Sequence, residues 1–172
     1  MLKGGSLPIY FVLMGERDKY PVLALPPAEL KIERRGGGLA VRCLCRGKYV
    51  ALTPEEWVRQ HFISYLSKWC GYPAGLIAVE VALEVNGVRR RADVVCYDKK
   101  LRPLVVVECK APEVQIVRGT LDQARMYHTR LNTPVVVLTN GLSHYCYVRN
   151  EEGEYEAAKE MPKYEEVVAR EK

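Results

Sequence analysis

The sequence predicts an α/β protein in which a helix, three strands, a second helix and a further strand follow one another between residues 53 and 149. Three features lead to this prediction: a capped amphipathic segment that begins at Thr53, three successive strand-like segments, and a return to helical spacing from residue 117. The chain has 172 residues, of which 48% are hydrophobic and 27% charged. This length and composition suit one globular core.

The first helix is predicted over the segment TPEEWVRQHFISYLSKW. Thr53 is placed as the N-cap, Pro54 as the first helical residue, and Glu56 as the residue that closes a capping box. Apolar residues recur at helical spacing along one face, and they are Val58, Phe62, Tyr65, Leu66 and Trp69. That face is expected to pack on a sheet.

Three antiparallel strands are predicted next, in LIAVEVALEV, VRRRADVVCYD and PLVVVECKA, because these segments alternate or are rich in β-branched residues. An Asn-Gly pair at 86–87 and the polar segment DKKLR supply the turns. VRGTLDQARMYHTRLN then has helical spacing. PVVVLT is predicted as a short buried strand and SHYCYVRN as a further strand after the Asn-Gly turn at 140–141.

Regions outside this core are predicted to be less regular. Residues 1–47 form an N-terminal extension of short strands and loops, with a hairpin or a flexible loop at the glycines 36–38. Residues 48–150 form the main domain. Residues 151–172 form a tail that ends in a charged helix.

Charge and cysteine content narrow the class of protein. The chain carries 26 Lys and Arg against 21 Asp and Glu, a net charge of +5, which favours a polyanionic partner such as nucleic acid. The six cysteines include no C-x-x-C pair, and Cys96 and Cys109 fall in strand-like segments, as expected of a reduced cytoplasmic protein. No segment has the length of a membrane span, so no membrane partner is expected.

An acidic pair is predicted where the second and third strands meet. If Tyr97 pairs with Leu104, the antiparallel register also pairs Val95 with Val106 and Asp93 with Glu108. Opposed side chains share a face with Cβ atoms roughly 4.5 to 5.5 Å apart, and Lys110 would lie on the same face.

Two carboxylates this close repel each other unless a cation lies between them. Oxygen ligands favour Mg²⁺ or Mn²⁺ over zinc or copper, and such an ion can activate a water and brace phosphate oxygens. Lys110 would orient the water or offset developing charge. The pattern therefore suits phosphodiester hydrolysis, although a solvated salt-bridge cluster at a strand end is the alternative explanation of the same residues.

The assumed register has one costly consequence. It places Arg91 beside Lys110, and two like charges side by side are unfavourable unless the strands splay or phosphate binds there. A slip by one residue would instead put Asp93 and Glu108 on opposite faces.

Asp93 followed by Glu108-x-Lys110 at the end of an apolar strand, with an acid on the preceding helix, resembles the PD-(D/E)xK nuclease superfamily. More closely, TPEEWVRQHF, RADVV, PLVVVECKAP, QARMY and VLTNG are similar in order to the N-terminal nuclease domain of type I restriction enzyme R subunits, in its stand-alone bacterial form. The resemblance covers roughly Lys48 to Arg149. The proline that usually precedes the first acid is Ala92 here.

The resemblance implies a restriction-endonuclease-like core (α-β-β-β-α-β) with a mixed central sheet flanked by helices. It also implies a Mg²⁺ or Mn²⁺ ion held by Asp93, Glu108 and the backbone carbonyl of Cys109, with Lys110 serving the water. The family's glutamine-tyrosine motif falls on Gln123 and Tyr127. Gln123 would touch the scissile phosphate or position the lysine, with a capping box as its alternative, and Tyr127 would contact nucleic acid or pack in the core.

Glu55 and Glu56 are the two candidates for an auxiliary acid that assists catalysis and metal binding. Glu55 is in phase with the apolar face of the first helix and is chosen, because Glu56 is already explained by the capping box. Arg59 either contacts DNA or pairs with Glu55 one turn away. Arg91, Lys99 and Lys100 are the other predicted phosphate contacts.

These residues predict a metal-dependent endonuclease domain that acts on DNA. A non-catalytic nucleic-acid or protein-binding module on the same fold is the alternative. A homodimer is expected, because cutting both strands usually needs two active sites. The sequence has no G-x-x-x-x-G-K-[ST] loop, so a helicase motor or other restriction-system subunit would be a separate partner chain.

Overall fold

The computed structural model describes residues 13, 15–16, 18–85, 87–117, 122 and 132–171. Its first unit is a three-stranded antiparallel sheet of β1 (Ile32–Arg35), β2 (Gly38–Arg42) and β3 (Tyr49–Ala51), in that order. β1 and β2 form a hairpin at the glycines of residues 36–38, one of the two predicted outcomes. β3 lies wholly beyond residue 47, so the small sheet crosses the predicted boundary of the N-terminal extension.

Helix α1 (Pro54–Lys68) follows β3 and begins where the sequence predicts. Thr53 Oγ1 accepts a hydrogen bond from the backbone N–H of Glu56 at 3.0 Å, and Pro54 occupies the first helical turn. The Glu56 side chain, however, bonds elsewhere in α1 and does not complete the predicted capping box. The residue after the helix, Trp69, is exposed and takes no part in the apolar face.

The second sheet has six strands in the order of the chain: β4 (Ile77–Val85), β5 (Val88–Tyr97), β6 (Pro103–Cys109), β7 (Val135–Thr139), β8 (His144–Arg149) and β9 (Tyr155–Ala158). β4, β5 and β6 are antiparallel neighbours, as predicted, whereas β6 and β7 are parallel. The sheet is therefore mixed. The predicted second helix, with Gln123 and Tyr127, lies outside the described residues.

Residues after 150 contain more than the predicted charged helix. A short helix α2 (Tyr164–Arg170) is present, but Tyr155–Ala158 before it forms β9 and extends the central sheet. None of the helices within the described residues has the length and apolar character that crossing a bilayer would require.

The main core lies between α1 and one face of the central sheet. Val58, Phe62 and Leu66 of α1 are almost completely buried and belong to one cluster with Val105 and Val107 of β6. β6 and β7 are buried on both faces, as central strands of a mixed sheet usually are. The packing of α1 on β5 and β6 brings the first turns of the helix to the end of β6 where Glu108 lies.

Candidate active site

The predicted register between β5 and β6 is correct over three residue pairs and wrong at the turn. Val95 pairs with Val106, and the ladder runs from Cys96–Val105 to Val94–Val107. Tyr97 pairs with Pro103 instead of Leu104, because a bulge between Cys96 and Tyr97 shifts the register. One further step along the ladder would oppose Asp93 to Glu108, but the paired residues end at Val94.

The strand backbone changes course at Asp93. Ala92 and Val94 belong to hydrophobic clusters on different faces of the sheet, although residues two apart in a regular strand share a face. The neighbouring strand does the same, because Val79 packs on the main core and Val81 on the other cluster. Asp93 is therefore re-aimed from the orientation that simple alternation predicts.

Both carboxylate oxygens of Asp93 are engaged. Oδ2 accepts a hydrogen bond from the backbone N–H of Cys109 at 2.7 Å, which ties Asp93 to the end of β6. Oδ1 accepts from Arg59 Nη2 at 2.8 Å. Asp93 thus stands at the meeting point of α1, β5 and β6.

Arg59 supplies positive charge among the acids of α1 and β5. Its side chain is 7% exposed, and Nη2 also donates to Glu55 Oε1 at 3.0 Å while Nη1 donates to Glu56. Burial opposes the charged form, but Glu56 and Asp93 outweigh it and raise the pKa of Arg59. The predicted pairing with Glu55 is therefore present, and the guanidinium is occupied within the protein. A contact between Arg59 and DNA stays a prediction.

The two glutamates of the first helical turn differ from expectation. Glu55 is about half exposed at its side chain, whereas Glu56 is buried and also accepts from Gln60 Nε2 at 2.7 Å. The expectation that Glu55 is the more inward of the two is wrong. Burial and the charge of Asp93 nevertheless raise the pKa of Glu55, so this carboxylate lies within electrostatic reach of the cluster.

Lys110 and Glu108 form the other half of the cluster. Lys110 Nζ lies 2.9 Å from Glu108 Oε1, and the backbone N–H of Lys110 donates to Thr139 O in β7 at 2.8 Å. Burial and the charge of Asp93 raise the pKa of Glu108. Burial opposes the charged form of Lys110, but its hydrogen bond to Glu108 and the nearby carboxylates raise its pKa, so the ammonium stays charged.

The donor chemistry of this cluster fits a hard divalent cation. Carboxylate oxygens are the ligands that Mg²⁺ and Mn²⁺ prefer, and Glu55 and Glu108 both lie where burial, and next to it the charge of Asp93, raises their pKa. Within the described ranges, however, no three His, Cys, Asp or Glu side chains stand in a metal-binding arrangement. Arg59 already occupies Asp93 and Glu55, so a metal would have to share Asp93 with Arg59 or displace it.

The predicted phosphate contacts fall in different places. Arg91 lies near the cluster, where β5 has left the β6 ladder and Arg91 Nη1 forms an ion pair with Glu80 at 3.5 Å. Arg91 and Lys110 are therefore not paired across the ladder, and Arg91 has Glu80 as a carboxylate partner. Lys99 and Lys100 lie in the β5–β6 turn, about 20 Å along β5 from Asp93 at roughly 3.3 Å per residue, so they do not join the site.

Three residues near the cluster were missed by sequence analysis. Gln60 is fully buried and links Glu56 to the backbone N–H of Leu44, while Arg46 forms an ion pair with Glu80 at 2.6 Å. No local signal identifies Arg46 or Glu80, because both act through contacts between distant segments. Gln60 was missed because its burial depends on a contact with the backbone of Leu44, 16 residues away.

A comparison with known protein families shows which family the chain is similar to. The family model described as the type I restriction enzyme R protein N terminus (HSDR_N) matches residues 54–162, which include α1 and the strands that carry Asp93 and Glu108. No curated protein sequence is significantly similar to the chain.

A solved structure shares the fold. It is a fragment assigned as an HsdR subunit of a type I restriction enzyme from Vibrio vulnificus YJ016, with 21% identity and a TM-score of 0.50. The similarity covers 69% of the present chain and 25% of that chain. The present chain therefore spans about a quarter of the length of that solved fragment. Together with the family match, these findings place the chain in the family of type I restriction enzyme R protein N termini.

Proposed function

We propose that the chain is a divalent-cation-dependent nuclease domain that hydrolyses DNA phosphodiester bonds at the cluster of Glu55, Asp93, Glu108 and Lys110. The observation that carries the proposal is the convergence of three carboxylates and an ammonium from α1, β5 and β6, with the pKa of both glutamates raised by burial and by Asp93. A solvated strand-end salt bridge would leave Glu108 and Lys110 largely exposed, whereas their side chains are 25% and 31% exposed here.

The proposed metal ligands are Asp93, Glu108 and the backbone carbonyl of Cys109, with Glu55 as an auxiliary acid. A bound Mg²⁺ or Mn²⁺ ion would supply Lewis acidity and a water of lowered pKa. Asp93 is held in place for this task by the Cys109 N–H. Arg59 offsets part of the charge of Asp93 and Glu55, and it keeps these two acids together.

Lys110 has the properties of an electrostatic stabiliser. Because its pKa is raised, its ammonium is protonated at neutral pH and cannot take a proton from water. We propose that Lys110 stabilises the negative charge that develops on the phosphate oxygens. This charge develops as the water oxygen bonds to phosphorus and the P–O bond to the leaving oxygen breaks. The proton released by the water ends on the leaving oxygen. Gln123, in the family's motif, is proposed to touch the scissile phosphate or to position Lys110. It lies outside the described residues.

Cleavage of plasmid and linear DNA by purified protein tests the proposal. Wild type with Mg²⁺ or Mn²⁺ should cut, EDTA should abolish cutting, and Asp93→Asn or Lys110→Met should lower the rate about 10²- to 10³-fold, the usual effect of removing one electrostatic group. Lys159→Met is the matched control, because Lys159 is an exposed lysine just after β9, at the edge of the sheet away from β4 and β5. It should cut like wild type.

Two results would contradict the proposal. Equal cutting by wild type, Asp93→Asn and Lys110→Met would assign the activity to a contaminant. DNA binding by all of these proteins, with no cutting in Mg²⁺ or Mn²⁺, would instead favour a non-catalytic binding module on the same fold.

A further inference from the structure

Glu80 is a strained residue beside the proposed active site. Its φ is +51°, in the left-handed region that residues with a side chain rarely adopt. The β4–β5 ladder passes from the pair Val79–Val94 to the pair Val81–Ala92, so the position of Glu80 and Asp93 is skipped. A strained residue of this kind persists where neighbouring contacts fix it, and such residues are concentrated at functional sites.

Two arginines hold the strained residue. Arg46, in the loop between β2 and β3, places Nη1 2.6 Å from Glu80 Oε2, and its Nη2 donates to the carbonyl oxygen of Val79 at 3.1 Å. Arg91 of β5 approaches the other carboxylate oxygen at 3.5 Å. One carboxylate therefore serves two guanidinium groups, and this group of three side chains retains one net positive charge.

The three side chains line a cleft that reaches the proposed active site. The cleft has a volume of about 350 Å³, and Glu55, Glu56 and Arg59 form its other side. Arg46 and Arg91 are 31% and 66% exposed, so both can meet a ligand from solvent. Of the proposed site residues, Glu55 lines the cleft, so a phosphodiester strand lying in it would meet Arg46 and Arg91 next to the proposed metal site.

The arginine side of the cleft comes partly from outside the family match. Arg46 and Leu44 precede residue 54, where that match begins. The loop is nevertheless tied to the site, because the Leu44 N–H donates to Gln60 Oε1 at 2.9 Å and Gln60 donates in turn to Glu56. The N-terminal sheet thus builds one side of the cleft.

We propose that Arg46 and Arg91 bind a phosphate of the substrate strand next to the one that is cut, and that Glu80 holds the two guanidinium groups until phosphate displaces it. A guanidinium binds phosphate and carboxylate through the same paired N–H groups, so the exchange of one anion for the other needs no new geometry. The inference rests on the proposed function, because that function identifies DNA as the ligand. If Arg46 binds phosphate, the loop between β2 and β3 of the N-terminal sheet contributes to substrate binding.

Binding of a short labelled DNA duplex, measured over a range of salt concentrations, tests this inference without cleavage. EDTA and, separately, Ca²⁺ are used in place of Mg²⁺. Arg46→Ala should weaken binding about tenfold and lower the slope of log K against log [salt] by about 0.9, the value for one lost phosphate contact. Arg46→Lys should keep most of the slope. Arg34→Ala is the control, because Arg34 is an exposed arginine of the same small sheet that does not line the cleft.

Glu80→Gln separates phosphate binding from a purely structural ion pair. It removes the competing negative charge and keeps the side-chain shape, so DNA should bind more tightly than to wild type. If the Arg46–Glu80 pair only braced the loop, Arg46→Ala and Glu80→Gln would weaken binding alike, and that result would overturn the inference. Urea unfolding of each variant verifies that it is folded at the assay temperature.

Failure of this inference can be told from failure of the proposed nuclease. Wild-type cutting together with unchanged DNA binding by Arg46→Ala overturns the role of Arg46 and leaves the nuclease intact. Weaker binding by Arg46→Ala, with no cutting by wild type in any metal, supports the phosphate site and contradicts the nuclease. Absence of DNA binding by wild type in both EDTA and Ca²⁺ also overturns the inference.

Discussion

Replacing Arg59 with leucine should destabilise the protein by about 2 to 4 kcal/mol at neutral pH. Arg59 is 7% exposed and pairs with Glu55, Glu56 and Asp93, and removing one partner of a buried ion pair typically costs about 3 to 5 kcal/mol. Arg59 Nε finds no hydrogen-bond partner among the described residues, so leucine also removes one unsatisfied buried donor, which offsets about 1 kcal/mol.

Urea unfolding of wild type and Arg59→Leu at low salt measures this free energy. Lys68→Ala is the matched control on the same helix, because the Lys68–Glu29 pair is 3.3 Å long but more than half exposed on both sides and should contribute less than about 1 kcal/mol. Repeating the measurement with MgCl₂ adds a second test. The acids freed in Arg59→Leu should bind Mg²⁺ more tightly, and a concentration 100-fold above the Kd would restore about 2.7 kcal/mol.

Two outcomes would refute this reasoning. A cost for Arg59→Leu no larger than that for Lys68→Ala would mean that the guanidinium does not neutralise the acids. Equal stabilisation of wild type and Arg59→Leu by Mg²⁺ would mean that the metal and Arg59 do not compete for Asp93.

Two further predictions concern the β7–β8 turn and the pH dependence of the site. Gly141→Ala should lower the free energy of unfolding by about 1 to 3 kcal/mol in thermal or urea unfolding, because φ is +83° and a Cβ would lie 2.7 Å from Leu23 and 3.1 Å from Val58. Isothermal titration with Mg²⁺ should show affinity rising with pH above 4.5, the ordinary value for glutamate, because Glu55 and Glu108 have raised pKa values and protons compete with the metal.

The raised pKa values of Glu55 and Glu108 also predict how the free energy of unfolding depends on pH. A carboxyl with a raised pKa binds its proton more tightly in the folded protein, so Glu55 and Glu108 contribute stability below pH 4.5 that is lost as pH rises through their folded-state pKa values. Mg²⁺ should reverse that loss. Affinity independent of pH, or an unchanged pH dependence in Glu108→Gln, would contradict the assignment of Glu108.

Gly75→Ala is the control for Gly141→Ala in the β7–β8 turn. A Cβ at Gly75 meets no atom within 4 Å and its φ lies outside the left-handed region, so this variant should stay within about 0.5 kcal/mol of wild type. Equal effects at Gly75 and Gly141 would show that the contact with Leu23 and Val58 is unimportant.

Local signals predicted the backbone elements well. Thr53 and Pro54 fix the start of α1, and the alternation of β-branched residues identifies β4, β5 and β6, because capping and strand patterns depend on neighbours in sequence. The residue pairs around Val95 and Val106 also followed from the antiparallel rule. The bulge at Cys96–Tyr97 did not, since no residue pattern there requires an extra residue in the ladder.

The chemistry of the site was harder to predict than its location. The strand pattern predicted that Asp93, Glu108 and Lys110 lie near one another, but it did not predict that Arg59, 34 residues before Asp93, pairs with Asp93. The relative burial of Glu55 and Glu56 was also misjudged, because the phase of α1 was fixed from apolar residues alone. Ion pairs between a helix and a sheet depend on packing that local patterns do not encode.

Diffraction from crystals soaked in Mn²⁺, recorded at the manganese absorption edge, would locate the proposed metal site. We expect an anomalous peak bounded by the carboxylates of Asp93 and Glu108 and the carbonyl of Cys109, with Arg59 turned away from Asp93 or sharing it, and no peak in Asp93→Asn. Saturating Mn²⁺ that leaves this position without a peak, while Arg59 keeps both Asp93 and Glu55, would contradict the proposal that the cluster is a metal-dependent nuclease site.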